Sequence, residues 1–177
     1  LIVIDGLDGS GKSTQIELLH KRLSNMGVAV KTISFPDYDH PSSALIKMYL
    51  AGDFGDSPDD VNAFAASSFY AVDRYASYKK FWEKDYKKGT FIIAARYTTS
   101  NAIHQMAKLD ESEWEDYLKW LYDYEFEKLG LPKPDKVIFL DMLPHISDML
   151  LDSRYDKNGG KKDIHEKNKE YLKKCRK

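Results

Sequence analysis

The sequence has few of the features that mark secreted, membrane-spanning or DNA-binding proteins. Its 177 residues include a single cysteine, Cys175, which cannot form an internal disulfide and gives no sign of secretion. No apolar run approaches the ~20 residues that cross a bilayer, and the first residues resemble a strand, so we expect no signal peptide. The charges nearly cancel, with 27 Lys and Arg against 28 Asp and Glu, which excludes the broad basic surface of a dedicated DNA-binding domain. We therefore expect a cytoplasmic protein that binds neither membranes nor nucleic acids.

The composition is that of a folded globular protein. Hydrophobic residues make up 42% of the chain and charged residues 31%, which argues against disorder. The length falls in the range of roughly 100–200 residues typical of one domain, so we expect residues 1–177 to form a single domain. The sequence opens at Leu1 inside a strand pattern and stops at Lys177 inside a helical pattern, so we expect both ends to be trimmed.

Apolar runs that alternate with helical patterns predict a parallel sheet. The predicted strands span residues 1–5, 28–34, 91–95 and 136–141. The predicted helices span residues 12–26 and, roughly, 42–51, 58–86 and 110–129, with Ser57 as the cap before Pro58. Strands that alternate with helices need crossover connections, so we expect an α/β fold with three layers, α/β/α, around a parallel sheet.

The segment Gly6–Ser13 carries the clearest chemical signal. It reads Gly-Leu-Asp-Gly-Ser-Gly-Lys-Ser, which fits the phosphate-loop pattern G-x-x-x-x-G-K-[ST] between a predicted strand and a predicted helix. Glycines let the backbone curl until several N–H groups face one anion, and the helix N-terminus adds its positive end. Lys12 can then reach the β- and γ-phosphates, and the Ser13 hydroxyl can bind Mg²⁺. The residues expected to hold a nucleoside triphosphate are Gly6, Asp8, Gly9, Ser10, Gly11, Lys12, Ser13 and Thr14. The alternative is a glycine-rich turn that matches by chance.

Other segments narrow the class of triphosphate-binding protein. A GTPase would carry an Asn/Thr-Lys-x-Asp segment after a strand, and the sequence has none. A motor or clamp-loader ATPase would carry an apolar strand that ends in Asp-Glu, whereas Asp141 is followed by Met142. A small kinase is the best match of the three.

Several separated segments share the pattern of one kinase family. The chain resembles the thymidylate kinases, a family of P-loop nucleoside monophosphate kinases, over residues 2–15, 35–38, 67–75, 96–101 and 131–140. The resemblance implies a P-loop fold with a short mobile lid that transfers the γ-phosphate of ATP to dTMP. The product would be dTDP, and the reaction would need Mg²⁺. The family resemblance also implies a homodimer.

The resemblance assigns residues to the base of dTMP. Tyr70 would stack on the thymine ring, and Arg74 would reach the edge of the base. Asn101 would offer a donor and an acceptor to thymine N3 and a neighbouring carbonyl. The full set of residues implied at the dTMP site is Asp8, Phe35, Pro36, Tyr38, Tyr70, Arg74, Arg96, Ser100, Asn101, His104 and Gln105.

Further residues are implied in phosphoryl transfer. Arg96 would bridge the nucleotide phosphates, where a fixed cationic fork matches developing charge. Asp8 would meet the sugar hydroxyl and share the metal with Ser13. The residues implied in catalysis are Lys12, Arg96, Asp8 and Arg154.

Each of these assignments has a simpler structural alternative. Asp73 and Arg74 can form a surface ion pair, Tyr70 can pack in the core, and Asn101 can cap a helix.

The polar loop at about 153–164 is expected to act as the lid, since Gly159 and Gly160 lie between cationic residues. The alternative is a solvated loop without a role.

Two positions depart from the family pattern. Ala95 stands where the strand before Arg96 usually ends in Asp, which removes a carboxylate from the metal's surroundings. Asp37 and Tyr38 stand where an Arg is frequent, and Asp37 would repel a phosphate. Two other interpretations therefore stay open: a kinase for another nucleotide or nucleoside, and a nucleotide-binding relative that has lost turnover.

Two helical patterns outside the site also yield expectations. The apolar stripe of Trp114, Tyr117, Leu118, Leu121 and Tyr122 is predicted to form core or a subunit contact. The Lys-rich tail around Cys175 is predicted to be a solvated helix.

Overall fold

The structure is a computed structural model that describes residues 1–143, 145–147, 149–151 and 163–176. Its strands are β1 (Ile2–Asp5), β2 (Val30–Ser34), β3 (Phe91–Ala95) and β4 (Lys136–Phe139). Its α-helices are α1 (Lys12–Asn25), α2 (Ala44–Ala51), α3 (Ala63–Ser77), α4 (Glu83–Lys87), α5 (Thr98–Met106), α6 (Trp114–Tyr122), α7 (Ile164–Lys167) and α8 (Lys169–Lys174). Short 3₁₀ helices span Pro41–Ser43, Pro58–Asp60 and Glu111–Glu113, and π-helical turns span Tyr78–Trp82 and Asp123–Lys128.

The chain divides into two compact units. We call the first the sheet unit; it comprises Leu1–Ser34, Trp82–Tyr97 and the described residues of Lys133–Lys161. We call the second the helical unit; it comprises Phe35–Phe81, Thr98–Pro132 and the described residues from 163 onward.

The sheet unit contains four parallel strands in the order β2-β3-β1-β4. The two central strands are the most buried, as expected of strands covered on both faces. Ile4 and Ile93 form a core cluster with Ile16 of α1, which packs against β2 and β3. The prediction of an α/β fold with a parallel sheet is confirmed.

The register of the central strands fixes where the phosphate loop lies. Ile4 of β1 is paired with Ala95 of β3, so both strands reach the same edge of the sheet with their carboxyl ends. The segment Gly6–Ser13 leaves β1 at this edge and leads directly into α1. Loops at the carboxyl ends of parallel strands are where α/β proteins bind ligands.

The helical unit is built on α3, which packs against α2 and α5. Small residues allow this close packing, because Ala63 of α3 and Ala102 of α5 are both buried in one cluster with Tyr117 and Leu121 of α6. The apolar stripe of α6 is thus core at its centre, as predicted, whereas Tyr122 is 46% exposed.

The prediction of one continuous helix over 58–86 is wrong, because the structure divides this range into several helical segments. Ser57 does form a capping box, but it starts only the 3₁₀ turn Pro58–Asp60. Val61 is extended, and Asn62 then caps α3 by accepting a hydrogen bond from the Ala65 N–H. Helix α5 was not among the predicted helices.

The prediction of a solvated tail is also wrong. Tyr171 and Cys175 are buried on the helical unit, although the tail lysines are exposed. The Tyr171 hydroxyl donates to the backbone oxygen of His104 at 2.5 Å, and Cys175 Sγ lies 3.6 Å from His104 Nδ1. A short charged helix can pack against the protein through a single apolar face. The many lysines of the tail make its composition look polar, so this face was not predicted.

In the described part of the chain, none of the helices has the length and apolar character that crossing a membrane requires.

Candidate functional site

The phosphate loop has a backbone that only glycine adopts without strain at three positions, Gly6, Gly9 and Gly11. Gly6 has a φ of 147°, and a Cβ there would lie 2.8 Å from the Leu140 backbone oxygen. Gly11 has a φ of 83° and precedes α1 without supplying a side-chain cap. The N–H groups of the first turn of α1 therefore receive no oxygen from their N-cap side chain. Such a helix start favours an anion.

Lys12 lies across this loop. Its ammonium donates to the backbone oxygens of Gly6 at 2.8 Å and Leu7 at 2.7 Å. The positive charge is thus held beside the segment whose N–H groups are predicted to bind phosphates. Thr14 follows in the first turn of α1 and is exposed.

Asp8 and Arg96, both predicted catalytic residues, form an ion pair in the sheet unit. Arg96 Nη2 donates to Asp8 Oδ1 at 2.5 Å, and both side chains remain partly exposed. Arg96 has a φ of 63°, which is uncommon for a residue other than glycine. Residues with such backbone angles occur most often at functional sites. Its own N–H donates to the backbone oxygen of Ile4 at 3.1 Å, which fixes this turn at the end of β3. Arg154 and most of the predicted lid lie outside the described residues.

A cavity of about 350 Å³ adjoins the start of α1 in the sheet unit. Ser13, Glu17 and Ala95 are among the residues that line it. Ala95 and Ser13 therefore lie at the same cavity, and Ala95 has a methyl group in place of a carboxylate. Among the described residues, His, Cys, Asp and Glu form no group of three that could hold a metal. The residues present fit a Mg²⁺ ion held by the Ser13 hydroxyl and by phosphate oxygens of a nucleotide.

The segment after β2 belongs to the helical unit. Phe35 is buried, Pro36 is half-buried, and Tyr38 is 47% exposed. The Asp37 carboxylate lies 2.7 Å from His40 Nδ1 and is thereby hydrogen-bonded within its own turn. The repulsion that Asp37 was predicted to exert on a phosphate stays a prediction.

The surface ion pair proposed for Asp73 and Arg74 is wrong, because both side chains are buried and they bind different partners. Asp73 accepts hydrogen bonds from the Asp37 N–H at 2.8 Å and from the Ser42 hydroxyl at 2.6 Å. Arg74 donates to Glu125 through Nε at 2.8 Å and through Nη2 at 2.5 Å. Asp73 thus anchors the segment after β2, and Arg74 belongs to a separate buried cluster.

Helix α5 carries four predicted site residues. Asn101 is buried inside the helix, so it is not a helix cap. Ser100 and Gln105 are buried as well, and the amide atoms of Gln105 make no hydrogen bond within the described part of the chain. His104 is half-buried, and its ring stacks on that of His165 at 5.4 Å.

Tyr70 lies on α3 at the margin of a core cluster. It is half-buried and packs against a buried cluster whose members include Tyr49 and Ala66. The core-packing alternative therefore describes part of its side chain, and its role at a thymine ring stays a prediction.

Glu125 is the residue that the sequence analysis missed. It is fully buried and accepts from Arg74, from the Thr98 hydroxyl at 2.7 Å and from Asn101 Nδ2 at 3.2 Å. A signal was available, because Glu125 continues the four-residue spacing of Tyr117 and Leu121 on the buried face of α6. An acidic residue in that series needs a cationic partner.

A strand that passes through such a loop into a helix is the hallmark of P-loop nucleotide-binding proteins, and the sheet unit belongs to this class. Within this class the chain belongs to the thymidylate kinase family, since the family model described as thymidylate kinase matches residues 4–177.

Individual relatives agree with this assignment. The chain is 34% identical over 142 residues to the thymidylate kinase of Mycobacterium tuberculosis, and the aligned region covers 79% of this chain and 64% of that protein. It is 31% identical over 156 residues to the thymidylate kinase of Caenorhabditis elegans, covering 83% of this chain and 65% of that one. The chain thus spans slightly less than two thirds of the length of these curated relatives. A solved thymidylate kinase from Candida albicans superposes with a TM-score of 0.67 and 26% identity, over 99% of this chain and 73% of that structure.

Proposed function

We propose that the protein is an ATP-dependent dTMP kinase that transfers the γ-phosphate of ATP to dTMP and releases dTDP. The observation that carries the proposal is the buried Asn101 amide, whose Oδ1 has no partner among the described residues. An unsatisfied buried acceptor calls for a donor from a ligand, and the N3–H of thymine is such a donor. The relatives' shared name supports the same acceptor.

The sheet unit would bind the triphosphate. The loop N–H groups and the N-terminus of α1 would hold the β- and γ-phosphates, with Lys12 as the principal cation. Mg²⁺, when bound through Ser13, would neutralise phosphate charge. Arg96 would bind the phosphates in transfer, and its ion pair with Asp8 would orient it. Transfer needs no strong general base, because the phosphate of dTMP is already anionic.

The helical unit would bind the nucleoside part of dTMP. Tyr70 would stack on the base, and Asn101 and Arg74 would lie at its edge. The remaining residues proposed around dTMP are Phe35, Pro36, Tyr38, Ser100, His104 and Gln105. The homodimer is proposed from the resemblance. The lid at about 153–164 with Arg154 is proposed from the glycines and cations of that loop, the single domain from the chain length, and the cytoplasmic location from the composition.

A coupled assay with dTMP, dUMP, dCMP, dGMP and thymidine tests the proposal. We expect dTMP to equal or exceed dUMP in kcat/KM, with dCMP and dGMP at least about tenfold behind, because a buried mispaired group costs roughly 1–3 kcal/mol. Lys12→Ala should lower kcat for dTMP by about a hundredfold or more while the circular dichroism spectrum is unchanged. Lys21→Ala, at an exposed lysine on α1, is the matched control and should keep wild-type activity.

Two other outcomes of this assay would favour a different function. A preference for dCMP, dGMP or thymidine would mean a kinase for another acceptor. Binding of ATP and dTMP without turnover would mean a nucleotide-binding protein, a function that Ala95 at the cavity favours.

A further inference from the structure

Glu125 lies at the centre of a buried hydrogen-bond cluster in the helical unit. Its Oε2 accepts from Arg74 Nε and the Thr98 hydroxyl, and its Oε1 accepts from Arg74 Nη2 and Asn101 Nδ2. These four hydrogen bonds match the number of lone-pair sites of a carboxylate. Glu125 lies in the π-helical turn Asp123–Lys128, a local irregularity that is frequent at functional sites.

The cluster fixes the orientation of the Asn101 amide. Asn101 Nδ2 donates to the Ser67 backbone oxygen and to Glu125 Oε1, both at 3.2 Å. Both partners can only accept, so a rotated amide would place its oxygen against two oxygens. The two hydrogens of Nδ2 are thereby used within the protein. Asn101 Oδ1 is buried and makes no hydrogen bond to the described residues.

We propose that Glu125 is a positioning residue that makes Asn101 an obligatory acceptor and thereby selects the base of the substrate. The proposal rests on the proposed function, in which Asn101 lies at the edge of the base. Thymine and uracil carry a hydrogen on N3, which can donate to a fixed Oδ1. Cytosine N3 carries a lone pair instead and would face Oδ1 with acceptor against acceptor. Glu125 thus determines which pyrimidine is bound, although it need not touch the base.

The alternative is that Glu125 only neutralises the buried charge of Arg74. The two roles differ in what Glu125→Gln does. A glutamine amide can donate to Asn101, so an Asn101 amide rotated to present Nδ2 to cytosine N3 would face one opposing oxygen, that of Ser67, instead of two. Loss of a charge partner alone would act through Arg74 and not through Asn101, so any change in the ratio of pyrimidine affinities would persist when Asn101 is replaced by alanine.

The test measures dissociation constants of dUMP and dCMP by isothermal titration calorimetry, since these nucleotides both lack the 5-methyl group. In the wild type we expect dUMP to bind at least about tenfold more tightly than dCMP. In Glu125→Gln the dCMP/dUMP ratio of dissociation constants should fall by about threefold or more, because only one of the two acceptors that fix Asn101 remains. In an Asn101→Ala background the same substitution should leave the ratio unchanged, because the amide through which Glu125 acts is gone.

Two further variants keep the test decisive. Thr98→Val removes one hydrogen bond from Glu125 Oε2 and leaves Oε1 beside Asn101, so the ratio should stay at the wild-type value. If Glu125→Gln does not fold, Glu125→Asp retains the charge but withdraws the carboxylate from Asn101, and it too should lower the ratio. An unchanged ratio in both Glu125 variants would overturn the positioning role. A wild type that binds neither dTMP nor dUMP would instead overturn the proposed function.

Discussion

Ala95 and Arg96 are adjacent residues with opposite demands on the site. Arg96 occupies the left-handed backbone region, which costs on the order of 1 kcal/mol for a residue with a side chain. The turn is held by the Arg96–Ile4 backbone hydrogen bond and directs the guanidinium to Asp8. Ala95, one residue earlier, adds only a methyl group to the cavity that Ser13 lines. The site thus has the arginine with its strained backbone, but the neighbouring position has no carboxylate for a metal.

The substitution Ala95→Asp, which introduces a carboxylate, should make the protein bind Mg²⁺ more tightly. A new anion in the cavity near Ser13 would join the outer shell of a metal, and such groups change metal affinity by about tenfold or more. The half-saturating concentration of free Mg²⁺ in the dTMP assay should fall by ~10-fold. Ala95→Asn is the matched control, since it has the same size without the charge and should leave the Mg²⁺ dependence near that of the wild type. If Asp and Asn behave alike, residue 95 lies away from the metal.

At the scale of elements, the start of α3 depends on a polar cap that the sequence pattern obscures. Ser57-Pro58 and Asn62 are two cap signals five residues apart, and the structure uses both, one for a 3₁₀ turn and one for α3. Val61 between them is extended and contributes to the core with Tyr49 and Ala66. The apolar periodicity alone suggests one helix, because a 3₁₀ turn disturbs it only slightly.

Asn62→Ala should lower the free energy of unfolding by about 1 kcal/mol, the usual cost of losing an N-cap side chain. The Asn62 side chain accepts a hydrogen bond from the Ala65 N–H at 2.9 Å, and alanine leaves that donor without its cap. Urea unfolding monitored by circular dichroism measures the change. Asn62→Asp preserves the cap and should unfold close to the wild type. Equal losses in both variants would show that the cap hydrogen bond is not what stabilises the start of α3.

At the scale of the whole molecule, local patterns were predictable and contacts between distant segments were not. The phosphate loop and all four strands follow from contiguous residues, so the sequence predicts them with small errors at their ends. Helix α5 was missed because its apolar face is small and its polar residues are buried. The spacing of Glu125 indicates burial, but its partners Arg74 and Thr98 were not predictable because they are 51 and 27 residues away. A single domain over residues 1–177 stays a prediction.

Lys108 links the stability of the molecule to pH. Its side chain is half-buried, and its ammonium donates to the Tyr49 hydroxyl at 2.8 Å and to the Val61 backbone oxygen at 2.9 Å. Neither partner carries a negative charge, and loss of hydration lowers the pKa of Lys108 to about 8. Burial raises the pKa of Tyr49, so its hydroxyl stays protonated as the lysine loses its proton.

The wild type should therefore gain stability relative to Lys108→Met as the pH rises from 7 to 10. Below the folded-state pKa of about 8, the lysine is protonated in both states and its burial is unfavourable. Above it, the unfolded chain still binds a proton that the folded protein has released, so the free energy of unfolding increases with pH. The shift corresponds to a gain of roughly 1–3 kcal/mol by pH 10. Urea unfolding of both proteins at pH 7, 8, 9 and 10 gives the difference and cancels the titration of other groups. Lys21→Met, at an exposed lysine, should differ from the wild type by a constant amount across this range. A constant difference for Lys108→Met as well would mean that the Lys108 ammonium is hydrated in the folded protein.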